Sequence, residues 1–232
     1  MNKLLVIIPC YNESGSIIKV VESIKLDIPG ADVLVVNDCS TDNSLELLNG
    51  NLINHIDLPI NLGIGGAMQT GYLYAKNNGY DYAVQIDGDG QHNPAEVPKL
   101  LTELQKGDND MIIGSRFLQK TQYKQTYFRK LGIDIFKVFT KYLIGYPISD
   151  ATSGFRIVNK RVIAAYADYY PTDYPEPEVL VYLEKLGMKV KEIPVTMSHR
   201  EHGKSSITPL KSAYYMMKVA TSMVIMRLRS FK

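Results

Sequence analysis

Apolar runs of strand length recur along this chain, and each is followed by polar, chemistry-bearing residues. Leu4-Leu5-Val6-Ile7-Ile8 precedes Pro9-Cys10-Tyr11-Asn12-Glu13, and Asp32-Val33-Leu34-Val35-Val36 precedes Asn37-Asp38. Tyr82-Ala83-Val84-Gln85-Ile86 precedes Asp87-Gly88-Asp89, and Met111-Ile112-Ile113 precedes Gly114-Ser115-Arg116. Near-continuous apolar runs of this length read as strands buried on both faces. Helical patterns lie between them. Ser14 or Ser16 would cap a helix through Leu26, with Ile17, Val20, Val21 and Ile24 on one face. Ser40-Thr41-Asp42 would start a short helix through Leu48, residues 52–57 a further strand, and Gly65 to Lys76 a helix entered through glycines. Asn93-Pro94 signals the start of a helix through Gln105. The alternation predicts an α/β fold with a mostly parallel central sheet flanked by helices. Ligands in such sheets bind beyond the C-terminal strand ends, so the polar groups at those ends should share one crevice.

The pattern changes after Arg116. Residues 117–126 are polar, and 127–145 read as an amphipathic helix through Phe128, Leu131, Ile135, Phe136 and Phe139. Asp150 to Arg156 leads into a short strand and a helix near 159–167. Residues 171–177, with three prolines, read as a loop, followed by a helix from Glu178 to Leu186 and a strand from Lys189 to Val195. A polar stretch, 196–206, precedes a last helix over 208–230. The chain divides into a domain over 1–206 and a C-terminal amphipathic helix over 207–232.

A length of 232 residues and 45% hydrophobic content suit one α/β domain with a real core. A net charge of +2 implies no nucleic-acid partner. Cys10 and Cys39 read as free thiols in a reducing compartment rather than a disulfide framework or a metal cluster. The first apolar run lacks a cleavage site, and no uninterrupted stretch is long enough to span a bilayer. The expected location is therefore the cytoplasm.

Asp87 and Asp89 are separated by one glycine at a predicted strand end, so both carboxylates can turn toward one point. Hard oxygen ligands there suit Mg²⁺ or Mn²⁺, which keeps waters and completes its shell from a substrate diphosphate. Gly88 and Gly90 let the backbone come close to that substrate. Asp and Gly are also ordinary turn residues, so the motif alone leaves a simple turn open. The segment Gly63-Ile64-Gly65-Gly66-Ala67 has the wrong place and spacing for a dinucleotide fingerprint, which argues against a nicotinamide dehydrogenase.

Taken together these residues resemble the family-2 inverting glycosyltransferases of the GT-A nucleotide-sugar-binding fold, especially the dolichol- and polyprenyl-phosphate sugar synthases. The resemblance spans nearly the whole chain. It rests on Ile8 to Glu13, Val36 to Asp42, Asn61 to Ala67, Asp87-x-Asp89-x-Gln91-His92, Gly114-Ser115-Arg116, Ser153-Gly154-Phe155-Arg156, and Arg200 with Gly203 and Ser205. It implies that Pro9, Tyr11, Glu13, Val36 and Asp38 border the nucleoside of a nucleotide-sugar donor. Gly65 would allow close approach of helix and donor. Asp87, Asp89 and Gln91 would hold the divalent ion beside Gly88. Arg116 and Arg129 would meet an acceptor phosphate, for which guanidinium forks are suited. Arg200 and Lys204 would close over the diphosphate. Related enzymes often read Arg-x-x-Gly-x-Ser-Lys where this chain has Arg200-Glu201-His202-Gly203-Lys204-Ser205-Ser206, which leaves the lysine's contact open. Local readings compete at several positions: loop packing for Tyr11, a helix start for Asp38, a surface or capping role for His92, and solvated cations for Arg129, Arg200 and Lys204.

A polyprenyl phosphate acceptor needs no base, because a phosphate monoester loses its second proton near pH ~6. A sugar-hydroxyl acceptor does need one, and Asp150 is then the candidate. The leading expectation is transfer from a UDP-sugar to a polyprenyl phosphate. The alternatives are extension of a surface polysaccharide or glycolipid, and a non-catalytic nucleotide-sugar-binding protein. Residues 207–232, with Arg227, Arg229 and Lys232 at their end, would lie at an anionic membrane surface or against a small membrane-protein partner.

Overall fold

A computed structural model describes residues 2–118, 127–172, 175–197 and 209–229, with the side chains of 127–134 and 209–216 outside that description. Arg200 and Lys204 fall outside it altogether, and of Arg129 only the backbone is described. The expected polar stretch after Arg116 is described only to Leu118.

The strands are β1 (Leu4–Cys10), β2 (Asp32–Asn37), β3 (His55–Asp57), β4 (Tyr82–Gln85), β5 (Met111–Ser115), β6 (Arg156–Asn159) and β7 (Val190–Pro194). They form one seven-stranded sheet in the order β3-β2-β1-β4-β6-β5-β7. All pairings are parallel except those of β6, which runs antiparallel to both β4 and β5. The mostly parallel sheet matches the sequence expectation. The reversed β6 is not visible in an apolar run, because Ile157 and Val158 suit either direction.

The helices are α1 (Ile17–Asp27), α2 (Ser44–Gly50), α3 (Gly63–Asn77), α4 (Val97–Gln105), α5 (Tyr127–Ile144), α6 (Lys160–Asp168), α7 (Pro175–Lys185) and α8 (Pro209–Leu228). They cover both sheet faces, so the alternating side chains of each strand enter two separate cores. Leu5, Ile7, Leu34 and Val36 pack with α3, α6 and α7 side chains such as Met68, Tyr72, Tyr166 and Leu180. Leu4, Val6, Ile8 and Val35 pack on the other face with Ile17, Val21, Ile24, Val97 and Leu100 of α1 and α4.

Several boundaries depart from expectation for identifiable reasons. The first apolar run ends at Ile8, but β1 continues through Pro9 to Cys10. The ladder to β4 ends at Ile7, so beyond it β1 has an open edge where a residue without an N–H is tolerated. Residues 171–177 are not all loop, since α7 begins at Pro175. Proline at the first helical positions removes N–H groups that have no helical partner anyway, and Glu176 and Glu178 suit the positive end of the helix dipole. Neither Ser16 nor Ser40 caps a helix. Ser16 precedes α1 without a side-chain cap and donates instead to the Glu13 carboxylate at 3.0 Å.

Gly65 does not open α3 toward a donor. A Cβ there would sit 2.2 Å from the Pro171 carbonyl oxygen and 2.5 Å from Thr172 Cα. Its bare backbone lets α3 pass directly under the 171–172 segment. The last helix does not stand apart either. Val219, Met223 and Met226 of α8 enter the same core as α7. Arg227 pairs with Glu184, and the Arg229 guanidinium lies 4.7 Å over the Tyr169 ring. The Lys185 ammonium donates to the Arg227 carbonyl at 2.9 Å and so caps the helix end.

Candidate active site

A cleft of about 430 Å³ opens at the C-terminal ends of β1, β2 and β4. Its walls include Pro9, Tyr11, Glu13, Asp38, Asp87, Gly88 and Asp89, as the strand-end argument expects. Asn61, Gly63, Ile64 and Ala67 of the α3 entry complete one side, and Gln85 and Glu176 the floor. Val36 does not reach the cleft, because it is fully buried in the α3-side core. Gln91, Arg116 and Asp150 are not among the lining residues either.

The wall beside β1 and β2 is built from two strand-end loops that brace each other. Asn12, in a left-handed conformation with φ 57°, turns its side-chain oxygen to the Thr41 N–H at 2.8 Å. The Asn12 N–H donates to Ser40 Oγ at 3.0 Å, and the Glu13 N–H to Ser44 Oγ at 3.0 Å. Asp42 accepts from the N–H groups of Ser14 and Ser44 at 3.1 and 2.9 Å. Burial alone would raise the Asp42 pKa, but the hydrogen bonds from Ser44 and Ser14 outweigh it and bring the carboxyl to about 2. Asp38, only 3% exposed, accepts from the Leu62 N–H at 2.7 Å and so ties the β2 end to the α3 entry. Burial pushes the Cys10 thiol up to about 11, which keeps it protonated and inert at neutral pH. Cys39 is likewise free of any disulfide.

Asp87 is held by two neighbours, Gln85 and His92. Gln85 Nε2 donates to its Oδ1 at 3.0 Å. His92 Nδ1 accepts the Asp87 N–H at 3.0 Å, which puts the ring proton on Nε2, 3.5 Å from Asp87 Oδ2. The imidazole is 6% exposed and stacks on Phe155 with centroids 4.9 Å apart. His92 is thus neither a surface nor a helix-capping residue; it packs beside Asp87 and accepts its backbone N–H. Gln91 meets Asp89 through its backbone, with its N–H donating to Asp89 Oδ1 at 3.0 Å. Gly90, at φ 77°, makes that tight turn possible.

Two carboxylates on one wall of an open cleft fit a divalent ion that shares its shell with substrate oxygens. Among the described residues, no group of three His, Cys, Asp or Glu side chains is placed to hold a metal ion by itself. Glu176 was not legible as a site residue, because its segment read as loop. Burial pushes its carboxyl pKa up, the Arg156 charge opposes that, and the Asp87 carboxylate adds to the rise.

The Ser153-Gly154-Phe155-Arg156 run serves this wall residue by residue. Ser153 Oγ donates to the Gly114 carbonyl at 2.7 Å. A Cβ on Gly154 would lie 2.7 Å from Gln85 Nε2 and 3.3 Å from both Asp87 oxygens, so only glycine leaves Asp87 in place. Phe155 supports His92.

Arg116 stands at the end of β5, two strands from β4. Its Nε and Nη2 donate to Asp150 Oδ2 and Oδ1 at 2.8 and 2.7 Å, and its N–H donates to Oδ2 at 3.0 Å. The Asp150 side chain is fully enclosed while that of Arg116 remains 38% exposed. Both Asp150 oxygens are engaged by Arg116, away from solvent, so in this arrangement Asp150 holds Arg116. Removing Arg116 would leave the enclosed Asp150 carboxylate without its guanidinium partner.

Residues 5–166 match Glycosyl transferase family 2. The chain belongs to that family. It is 28% identical over 229 residues to the polyprenol monophosphomannose synthase of Mycolicibacterium smegmatis, covering 94% of this chain and 86% of the relative. It is 26% identical to the UDP-N-acetylglucosamine–dolichyl-phosphate N-acetylglucosaminyltransferase of Methanococcus voltae, covering 86% and 87%. The glucosyl-3-phosphoglycerate synthase of Mycobacterium tuberculosis, solved with Mn²⁺, UDP-glucose and phosphoglyceric acid, superposes with a TM-score of 0.74. At 19% identity over 100% of this chain and 81% of that one, it establishes the GT-A fold. The chain is a family-2 glycosyltransferase, related in sequence to polyprenyl-phosphate sugar synthases.

The Asp42 carboxyl makes a pH prediction. Its folded pKa of about 2 lies below the ordinary 3.8, so its contribution is complete above pH ~4 and disappears as pH falls toward 2. Asp42→Asn should lower the melting temperature at pH 7, and the gap to the native chain should close between pH 4 and 2. A gap that is constant with pH would show that the Asp42 charge does not brace the loops.

Proposed function

We propose that this enzyme transfers a sugar from a UDP-sugar to the phosphate of a polyprenyl phosphate, with Mg²⁺ or Mn²⁺. The observation that carries the reading is the placement of Asp87 and Asp89 beside the Tyr11, Glu13 and Asp38 wall, with Arg116 fixed farther along the same edge. The two curated relatives support it: both are named for a phosphorylated polyprenol or dolichol, while their sugars differ. One of them is named for a UDP-sugar.

In this reading Tyr11 packs on the base, and Glu13 and Asp38 accept hydrogen bonds from the nucleoside. Asp87 and Asp89 hold the divalent ion, which when bound neutralises charge on the departing nucleoside diphosphate. Arg116 orients the acceptor phosphate, and Arg129 joins it from α5. A phosphate oxygen attacks the anomeric carbon as the bond from that carbon to the diphosphate oxygen breaks. The product is an inverted sugar phosphodiester, and no proton needs to be removed. The enclosed Asp150 carboxylate speaks against a sugar-hydroxyl acceptor activated by that residue.

The acceptor's tail lies in lipid, so the enzyme works at a membrane surface, in this proposal the cytoplasmic face. None of the described helices is long and apolar enough to cross a bilayer. However, α5 exposes Ile135, Val138 and Tyr142, and its neighbour α8 exposes Met217, Ile225 and Leu228. These side chains form the proposed contact with lipid or with a small membrane-protein partner. Arg227 and Arg229 are engaged by Glu184 and Tyr169, so apolar contact carries more of this proposal than charge.

With labelled UDP-sugar, metal and polyprenyl phosphate, label should move into the solvent-extractable lipid. Asp89→Ala should lower that transfer on the order of 100-fold or more, as expected when several kcal/mol of metal-assisted charge stabilisation are lost, while leaving the melting temperature of the ligand-free protein nearly unchanged. Full transfer by a folded variant would remove Asp89 from the metal site. Ile225→Glu should lower transfer to long-chain acceptor in vesicles roughly tenfold, since burying a side chain of that size is worth about 1.5–3 kcal/mol. Transfer to a short-chain acceptor in solution should not change. Equal rates in vesicles would remove α8 from the membrane contact.

A further inference from the structure

Asp150 sets the direction of Arg116, but Asp150 itself sits on a segment without regular structure between α5 and β6. Two charged side chains that do not line the cleft hold that segment. Glu192, on the edge strand β7, accepts the Ser149 N–H on one carboxylate oxygen and the Asp150 N–H on the other, both at 2.6 Å. Arg156, at the start of β6 and 1% exposed, donates to the carbonyls of Ala151 at 2.7 Å and Ser153 at 2.7 Å. Its third contact is the Glu176 carbonyl at 2.6 Å, on the first turn of α7.

Burying a guanidinium is costly unless its donors are satisfied, and here they meet backbone carbonyls rather than a carboxylate. The fork geometry of arginine matches carbonyls that point inward from both sides of one turn. Glu192 does the complementary work, since only a carboxylate offers an acceptor to each of two successive N–H groups. Between them the path of residues 149–153 is pinned at four of its five residues.

We infer that Glu192 and Arg156 are positioning residues for Arg116, acting through the 149–153 segment and Asp150. Arg156 also ties that segment to the α7 turn that brings Glu176 to the cleft floor, so acceptor side and donor side share one fixed element. The inference rests on the reading of Arg116 as the acceptor-phosphate residue.

The test is a double-mutant cycle on the full-length chain. Glu192→Gln keeps size and leaves an acceptor for only one of the two N–H groups. It should raise the KM for polyprenyl phosphate about tenfold, the scale of one hydrogen bond to a charged partner. UDP affinity in the presence of Mn²⁺ should stay within about twofold, because the donor wall is untouched. On an Arg116→Ala background, Glu192→Gln should add less than about twofold. If Glu192→Gln does not fold, Glu192→Asp, shorter by one methylene, carries the same cycle. An unchanged acceptor KM, an equal loss of UDP affinity, or a full additive loss on Arg116→Ala would overturn the inference. If Arg116→Ala alone leaves the acceptor KM unchanged, the reading of Arg116 falls and the inference falls with it. An impaired Arg116→Ala with an additive Glu192→Gln overturns the inference only.

Discussion

The parallel register of β1 with both of its neighbours is the constraint from which the site follows. Cys10 pairs with Asn37 of β2, and Ile7 with Gln85 of β4. With those ladders in place, the residues after each strand have to emerge at the same edge. A slip of one residue in any of them would turn every side chain to the opposite face and exchange the two cores. The buried alternation of Leu5 and Ile7 against Val6 and Ile8 forbids that slip. The hydrophobic layers thus set the spacing of Glu13, Asp38, Asp87 and Asp89, and the polar contacts refine it.

Refinement differs between the two halves of the edge. Beside β1 and β2 it is local: Asn12, Ser40, Asp42 and Ser44 join two loops that already follow neighbouring strands. Toward β5 the partners are distant in sequence. Arg116 meets Asp150, which meets Glu192 through its backbone. The antiparallel β6 makes this possible, since it inserts between β4 and β5 and brings the 150–156 segment back to the strand ends. Asp87, Asp89 and Arg116, the arginine proposed to meet the acceptor phosphate, therefore stand along one edge. That suits a displacement in which positioning, rather than proton transfer, supplies the rate.

Much of this was legible in the residues. Strands buried on both faces appear as continuous apolar runs, and the polar residues that end them mark the crevice. What was not legible depended on contacts between distant segments. Nothing local in Glu176 separates a cleft-floor carboxylate from a loop residue, because two flanking prolines suggest a break even though they suit a helix start. Gly65 looks like an opening for ligand until the 171–172 backbone is seen against it. Asp150 reads as a candidate base until Arg116 is found on both its oxygens. The arginines near the end of α8 read as membrane anchors until Glu184 and Tyr169 are found beside them. In each case the contact that decides the residue's role comes from a segment elsewhere in the chain.

The central claim is that the acceptor nucleophile is a phosphate oxygen and that no enzymic base takes part. The most direct measurement is the structure of the product formed from labelled UDP-sugar and polyprenyl phosphate, by ³¹P and ¹H NMR. The account predicts a single phosphorus in a sugar–phosphate–lipid diester, with the anomeric configuration opposite to that of the donor. A sugar joined to another sugar's hydroxyl, or a retained configuration, would contradict it.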